Sequence, residues 1–310
     1  MAEAARRPAR VRSAARPSPA RLGAWVELTK PGIALYMTLT AGAAAFVALN
    51  GRPGAGLVLH VLLGTALGSG GALALNQVAE RDLDARMQRT RGRPIPSGRL
   101  GPAGARAFGL LLLAAGTAWL FFTVGPTAAA LGLASAATYH WLYRPLKRRS
   151  WLSVPAGAVP GAMPVLIGWS AATGRVDAAA LSLFLVAWLW QHPHVLGLAW
   201  MLREDHARVG FRMAPPGPRP AARIGRWAVA ACALLVPAGL LPWILGAAGP
   251  LYAAGMTLLG AAFLGRAVVS ARALALGATP GTRPARDLFL ASLAWHPAFL
   301  LLLVVDVLAR

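Results

Sequence analysis

The stretch LALNQVAERDLDARMQRTRGRPIPSGRL, residues 73–100, runs from an apolar segment straight into a dense cluster of charges. Asn76, Glu80, Asp82 and Asp84 come first, and Arg81, Arg86, Arg89, Arg91, Arg93 and Arg99 surround and follow them. The chain has only ten carboxylates in 310 residues, so three within five positions mark a place where something positive is held. Asn76, Glu80 and Asp84 recur at four-residue intervals. On a helix continuing from the apolar segment, each is turned only ~40° from the one before, so the three project to one side while Asp82 points away. Such a ladder of oxygen ligands suits a hard divalent cation, and Mg²⁺ commonly completes its shell with water and phosphate oxygens. The downstream Arg89, Arg91, Arg93 and Arg99 suit the phosphate, because guanidinium grips oxyanions bidentately. The competing reading is a solvated loop whose acids merely pair with its arginines.

Outward from this stretch the chain is apolar: 57% hydrophobic and 13% charged residues, with a mean hydropathy of +0.55. That composition excludes an ordinary water-soluble domain. A spanning helix needs about 20 mostly apolar residues. Segments of that kind are predicted at 32–50, 55–77, 105–123, 127–143, 153–172, 178–201, 226–246, 249–270 and 287–308. The expected fold is an all-α polytopic membrane protein of about nine helices, a single transmembrane domain over 31–310 behind a basic arm, 1–30. The arm is Arg-, Ala- and Pro-rich and reads as disordered. A mitochondrial transit peptide is the alternative, and no apolar region of a secretory signal precedes residue 32. The single cysteine, Cys232, falls within the seventh span, which excludes a disulfide or a cysteine metal site within one chain.

The net charge of +21 is topological. With nine spans, 28 of the 31 Lys and Arg residues fall on one face, and only Arg52, Arg175 and Arg310 on the other. This positive-inside pattern puts the N-terminus in the cytoplasm and the C-terminus in the periplasm of a bacterial inner membrane, or on the corresponding sides of a mitochondrial inner membrane. Nucleic acid is not an expected partner, because no basic, aromatic-interleaved domain stands apart from the membrane.

A second acidic spot, Glu204 and Asp205 in MLREDHARVGFRM, follows the sixth span as Glu80 and Asp84 follow the second. Two such spots four spans apart suggest a repeated four-helix unit, twice over plus one helix, with the acid clusters facing each other across a diphosphate. Lys147, Arg148 and Arg149 lie on the same face. Pro155, Pro160 and Pro164 interrupt the fifth span, and freed carbonyls at membrane depth are tolerated where they line a cavity or are buried in protein. Gly64, Gly68 and Ala72 form a small-residue ridge suited to close helix packing. Trp169, Trp188, Trp190 and Trp200 are candidates to line a dry cavity, or else interface anchors. His192 and His194 flank Pro193 inside the sixth span, and imidazole is a natural axial ligand for haem iron.

At this point the sequence resembles the intramembrane (UbiA) prenyltransferase superfamily. Asn76, Glu80 and Asp84 fall on its first motif, Asn-x-x-x-Asp-x-x-x-Asp, with Glu80 in place of an aspartate. The stretches NQVAERDLDARMQRTRGRPIPSGRL, YRPLKRRSWLSVPAGAVPGAMPVLIGWSAATG, WQHPHVLGLAW and REDHARVGFRM are most similar to its haem-farnesylating branch. They depart from it at Glu80, at Ser153 (Asn expected), Val195 (Phe) and His206 (Tyr). The resemblance implies a nine-helix bundle around a central cavity, with Mg²⁺ as cofactor and farnesyl diphosphate and haem B as substrates. It implies haem O as product and haem A synthase as a partner. The expected site is then Asn76, Glu80, Asp84, Glu204 and Asp205 at the metal, with Arg89, Arg93, Lys147, Arg148 and Arg203 on the diphosphate. Asn76, Glu80, Asp84, Asp205 and Lys147 are the expected catalytic set, and His194, then His192, the expected haem contacts. A quinone- or chlorophyll-precursor prenyltransferase would share the metal site but not LKRRS or WQHPH. A secondary transporter would place its charges near the bilayer midplane, whereas most acids here sit at loop level.

Overall fold

The computed structural model describes residues 19–277 and 282–310. Residues 1–18, most of the expected disordered arm, lie outside the described residues. The rest of the arm departs from that expectation, because Pro19–Leu28 forms a helix, α1. Its apolar side explains why: Ala24 and Leu28 are buried in a cluster with Ala74, Val78 and Ala105. Gln77 Nε2 donates to the carbonyls of Glu27 and Leu28 at 3.2 and 3.0 Å, satisfying oxygens that the helix end leaves open.

Then come α2 (Pro31–Ala48), α3 (Ala55–Ala79), the single turn α4 (Arg81–Asp84), α5 (Pro102–Thr123) and α6 (Pro126–Ala137). A π-helical segment, Thr138–Tyr143, prolongs α6 into α7 (Arg144–Arg149). The second half holds α8 (Ser153–Thr173), α9 (Ala178–Met201), α10 (Arg203–Arg208), α11 (Pro220–Ile244), α12 (Pro250–Leu276) and α13 (Arg283–Leu308). Six of the long helices, α2, α5, α6, α11, α12 and α13, carry a proline in the first turn, where its fixed φ and missing N–H cost nothing.

Nine long helical runs among the described residues thus match the nine predicted segments. Seven are long and apolar enough to cross a membrane. The other two depart for local reasons. The π segment cuts α6 to 12 residues, and Gln191, His192, Pro193 and His194 dilute the apolarity of α9.

The neighbour pattern repeats. α2 packs on α3 and α3 on α5, as α8 packs on α9 and α9 on α11; α2 and α8 meet in the middle, and α13 lies against α9, α12 and α2. The predicted small-residue ridge is where α3 and α5 touch backbone to backbone. A Cβ at Gly116 would collide with the Gly68 nitrogen and lie 2.8 Å from the Gly64 oxygen, so only glycine permits this approach.

An apolar tunnel of about 210 Å³ runs between α2, α3, α5, α6, α8 and α9, past Gly64, Gly68, Gly116, Pro160 and Pro164. The prolines of α8 border it as expected. Pro164 deprives the Pro160 carbonyl of its helical donor, and Ser135 Oγ supplies one at 3.3 Å.

Candidate active site

At the basic end of the tunnel lies a polar cavity of about 170 Å³, sharing Tyr139, Tyr143 and Val195 with it. Asn76, on the last turn of α3, Glu80, at the helix end, and Asp84, closing α4, all line this cavity. The helix does not continue unbroken as the spacing suggested, because Glu80 adopts φ −104°, ψ 8°. The backbone nevertheless keeps its four-residue hydrogen bonds, Glu80 N to Asn76 O at 2.9 Å and Asp84 N to Glu80 O at 2.8 Å, and the ladder survives. Asp82 points away as predicted: its side chain is 87% exposed and reaches only Arg81.

The ladder is deeply buried, with Asn76, Glu80 and Asp84 at 2, 4 and 0% exposure. Lys147 Nζ donates to Glu80 Oε1 at 2.7 Å, Asn76 Nδ2 to Glu80 Oε2 at 3.3 Å, and Arg93 Nη1 to Asp84 Oδ2 at 2.7 Å. That leaves Asn76 Oδ1 and Asp84 Oδ1 buried with no donor among the described residues. Buried acceptors are nearly always satisfied. Two bare oxygens at one cavity are what a small hard cation requires, and the residues present fit Mg²⁺. Among the described residues no three His, Cys, Asp or Glu side chains converge as a metal cluster, so the remaining ligands would come from bound phosphate and water.

Cations crowd the same space. Lys30, Arg89, Arg93 and Lys147 line the cavity against only two carboxylates, Glu80 and Asp84. Burial, then repulsion from Arg93 and Lys147, lowers the Lys30 pKa to about 7. Burial followed by Arg93 lowers Arg89 as well. Burial opposes charge on Lys147 too, but the Tyr143 and Glu80 oxygens outweigh it and hold the ammonium above its usual range. On Glu80, burial is likewise overcome, chiefly by Lys147, and the carboxyl is held below its ordinary value. The cavity is short of negative charge. An incoming dianionic or trianionic group relieves the repulsion that Lys30 and Arg89 register.

The second acidic spot takes another position. Asp205 Oδ1 accepts from the Gln88 N–H at 2.9 Å and from Arg208 at 2.8 Å, and Oδ2 accepts from the Arg89 N–H at 3.0 Å. These bonds pin α10 to the turn that carries Arg89. Glu204 is 79% exposed on its side chain and meets only Arg203. Arg203 lies over the Trp200 ring at 4.9 Å and donates to the Trp200 carbonyl, and Arg148 is exposed. The structure therefore brings Asn76, Glu80, Asp84, Arg89, Arg93 and Lys147 together, and keeps Glu204, Asp205, Arg148 and Arg203 off the cavity wall. Adjacent acids in sequence face different ways on a one-turn helix, which is why the expected facing clusters do not form.

Of the two histidines, His194 lines the cavity and His192 does not. His192 Nδ1 donates to the Trp188 carbonyl at 2.9 Å. Ser292 spends its hydroxyl proton on Phe289 O at 2.5 Å, so at 2.9 Å it accepts from His194 Nδ1–H. His194 is thereby fixed as the Nδ1–H tautomer, with no partner for the Nε2 lone pair among the described residues. Of the two readings of the tryptophans, cavity lining does not hold: none of Trp169, Trp188, Trp190 and Trp200 lines the cavity or the tunnel. They pack between helices, Trp188 donating to the Pro155 carbonyl and Trp190 to the Ser292 carbonyl. The aromatic wall comes instead from Tyr139, Tyr143 and Phe211, with His206 beside them. Burial, then Arg89 and Lys147, lowers His206 to about 4, so it is neutral.

Sequence reasoning missed Lys30, held at φ 47° just before Pro31. The signal was available, because Lys30 and Lys147 are the only lysines in a chain whose other basic residues are all arginine, and both line this cavity.

Comparison with known proteins agrees with this geometry. Residues 35–304 match the family described as the UbiA prenyltransferase family. Among similar chains, the "Protoheme IX farnesyltransferase" of Solibacter usitatus is 40% identical over 77% of this chain and 85% of its own length. Those of Sorangium cellulosum, at 42% over 76% and 81%, and Opitutus terrae, at 37% over 93% and 96%, carry the same name. Among solved structures, a digeranylgeranylglyceryl phosphate synthase superposes with a TM-score of 0.73 at 17% identity, covering 94% of this chain and 99% of that one. A UbiA homologue from Archaeoglobus fulgidus bound to DMAPP and Mg²⁺ superposes at 0.60 with 13% identity, covering 91% and 99%. With a family match over residues 35–304 and relatives of 37–42% identity that cover 76–93% of it, this chain belongs to the UbiA prenyltransferase family.

Proposed function

We propose that this chain is a protoheme IX farnesyltransferase, making haem O for haem-copper oxidases. The farnesyl group of farnesyl diphosphate bonds to the terminal carbon of a haem B vinyl group as diphosphate leaves, and water then adds to the vinyl carbon left cationic and loses a proton. The observation that carries the reading is the join of two unlike spaces. A cavity with four cations and two unclaimed oxygens opens onto an apolar tunnel of about 210 Å³. A diphosphate fits the first and an isoprenoid chain the second. The relatives' shared name selects the acceptor.

In this reading Arg89, Arg93, Lys30 and Lys147 receive the diphosphate. They neutralise the charge that grows on it as the allylic carbon–oxygen bond lengthens. Mg²⁺, held through Asn76 Oδ1 and Asp84 Oδ1, supplies Lewis-acid stabilisation of the same charge when bound. Glu80 keeps Lys147 charged and aimed, and Asp205 anchors the Arg89 backbone. Tyr139 and Tyr143 stand where cavity meets tunnel, so their rings face the developing cation and exclude water from it. His194 presents Nε2 to the acceptor and orients the haem. The chain sits in a bacterial inner membrane with the N-terminus cytoplasmic and the C-terminus periplasmic, and hands haem O to haem A synthase.

The test uses membranes containing the protein, given haem B, farnesyl diphosphate and Mg²⁺. The expected product is a more hydrophobic haem carrying a hydroxyl and a farnesyl chain, and chelation stops its formation. If haem B stays unchanged while an aromatic acceptor such as 4-hydroxybenzoate is prenylated, the haem assignment fails and the quinone-type activity replaces it.

A further inference from the structure

A second concavity lies outside the tunnel, between α3, α5 and the α6–π run, with a volume of about 840 Å³. Its floor is apolar, including Leu75, Val78, Leu110 and Leu133. Its rim carries Arg81, Arg106 and Arg144, with Asp82 as its one acid, drawn to Arg81 at 3.4 Å. Arg106 and Arg144 make no ion pair among the described residues. The faces are outward: Leu110 and Leu133 are exposed, and Trp141 is 81% exposed. The three arginines mark the basic end of the bundle, after α3, in the first turns of α5 and at the start of α7.

In a bilayer this floor meets acyl chains while the arginines stand at headgroup depth. A neutral lipid would satisfy the floor and leave two guanidinium groups without a counter-charge. A lipid of net negative charge satisfies both, because basic pockets between helices at the membrane surface bind anionic headgroups. We propose that this groove binds an anionic phospholipid, its phosphate held by Arg81, Arg106 and Arg144 and an acyl chain laid along the leucine floor. The groove shares Leu113 and Ala136 with the tunnel. An occupied groove therefore backs the tunnel wall from outside, and it does so beside the π segment that turns Tyr139 and Tyr143 inward.

The experiment is native mass spectrometry of the full chain in detergent, titrated with phosphatidylglycerol or phosphatidylcholine. A basic residue near an anionic headgroup is worth about five-fold in affinity, so Arg106→Gln/Arg144→Gln should bind phosphatidylglycerol about 25-fold more weakly. Phosphatidylcholine binding should be weak and the same in both proteins. Arg106→Lys/Arg144→Lys should keep most of the phosphatidylglycerol affinity. If the double glutamine variant fails to fold, Arg106→Gln alone decides, with about a five-fold loss expected. Equal phosphatidylglycerol binding by the parent and the glutamine variants would overturn the proposal. So would phosphatidylcholine binding as tight as phosphatidylglycerol, or displacement of phosphatidylglycerol by haem B, a dianion that would then be the groove's occupant.

Discussion

Asp84→Asn takes one charge from the point where the site has fewest to lose. The Asp84 carboxylate is fully buried, with Oδ2 2.7 Å from Arg93 and Oδ1 facing no donor. At an effective dielectric of about 20, two charges at that separation attract by roughly 6 kcal/mol, before the cost of desolvating them is subtracted. Breaking a buried pair while leaving one charge behind costs about 3–5 kcal/mol. Arg93 is 18% exposed and can partly rehydrate, so the lower end of that range applies. The catalytic loss is of similar size. One metal-directed oxygen loses its charge, and removing a preorganised electrostatic contact of this kind costs about 10²–10³-fold in turnover. The control is Asp82→Asn, two residues away, where an 87% exposed carboxylate meets Arg81 at 3.4 Å on the surface. Its turnover should stay within about two-fold of the parent, because such surface pairs contribute little. The assay is farnesyl-haem formation by membranes normalised to folded protein, repeated across a Mg²⁺ titration. Asp84→Asn should need more Mg²⁺ for whatever activity remains. Equal, near-normal activity in both variants would refute the ladder, as would equal loss in both.

Reporter fusions check the arrangement in the membrane: one placed after Arg310 should read as periplasmic and one near Arg91 as cytoplasmic, and both on one side would refute the nine-span count. His194→Ala should weaken use of haem more than binding of farnesyl diphosphate, seen as a larger rise in KM for haem, because the histidine touches neither carboxylate of the ladder. Asp177→Ala should destabilise the protein by about 1 kcal/mol in thermal unfolding, since Asp177 Oδ1 caps α9 by accepting from the Ala180 N–H at 3.0 Å. Burial raises the Asp177 pKa, but the Ala180 N–H and Arg175 outweigh it and hold the carboxyl below its ordinary value. Its stabilising effect is thus present above the unfolded pKa of about 3.9 and lost as pH falls through the folded value, so parent and variant should converge in stability in strong acid.

Much of this was legible in residue order, for reasons that differ by element. Apolar runs of about 20 residues leave few alternatives in a bilayer, so the nine segments appeared close to their observed limits. The four-residue spacing of Asn76, Glu80 and Asp84 was readable because backbone hydrogen bonds persist across the break at Glu80. The orientation of Asp205 was not, since it depends on the Gln88 and Arg89 N–H groups more than a hundred residues away. The place of the tryptophans stayed open because a large aromatic ring fills a gap between helices as well as it lines a cavity. Lys30 escaped attention as one more basic residue in a basic arm, when its being lysine was the informative part.

The π-helical segment Thr138–Tyr143 has a consequence for how this gene can change. An α-helix advances each residue by about 100° and 1.5 Å, and a π turn takes in one extra residue without breaking the rod. Removing any single residue from 138–143 would allow plain α-helix to form there, with the composition hardly altered. Everything after it up to Ser150 would then keep nearly its present phase, because the π turn had taken up one residue more than the α-helix replacing it, and Lys147 would stay beside Glu80, from which it now stands 2.7 Å. The same one-residue deletion in the irregular 214–218 loop would be absorbed locally. The chain therefore tolerates a one-residue loss in its loops and in this π segment, whereas the same loss in the plain α-helix at residues 144–146 would turn Lys147 by about 100° out of phase with Glu80.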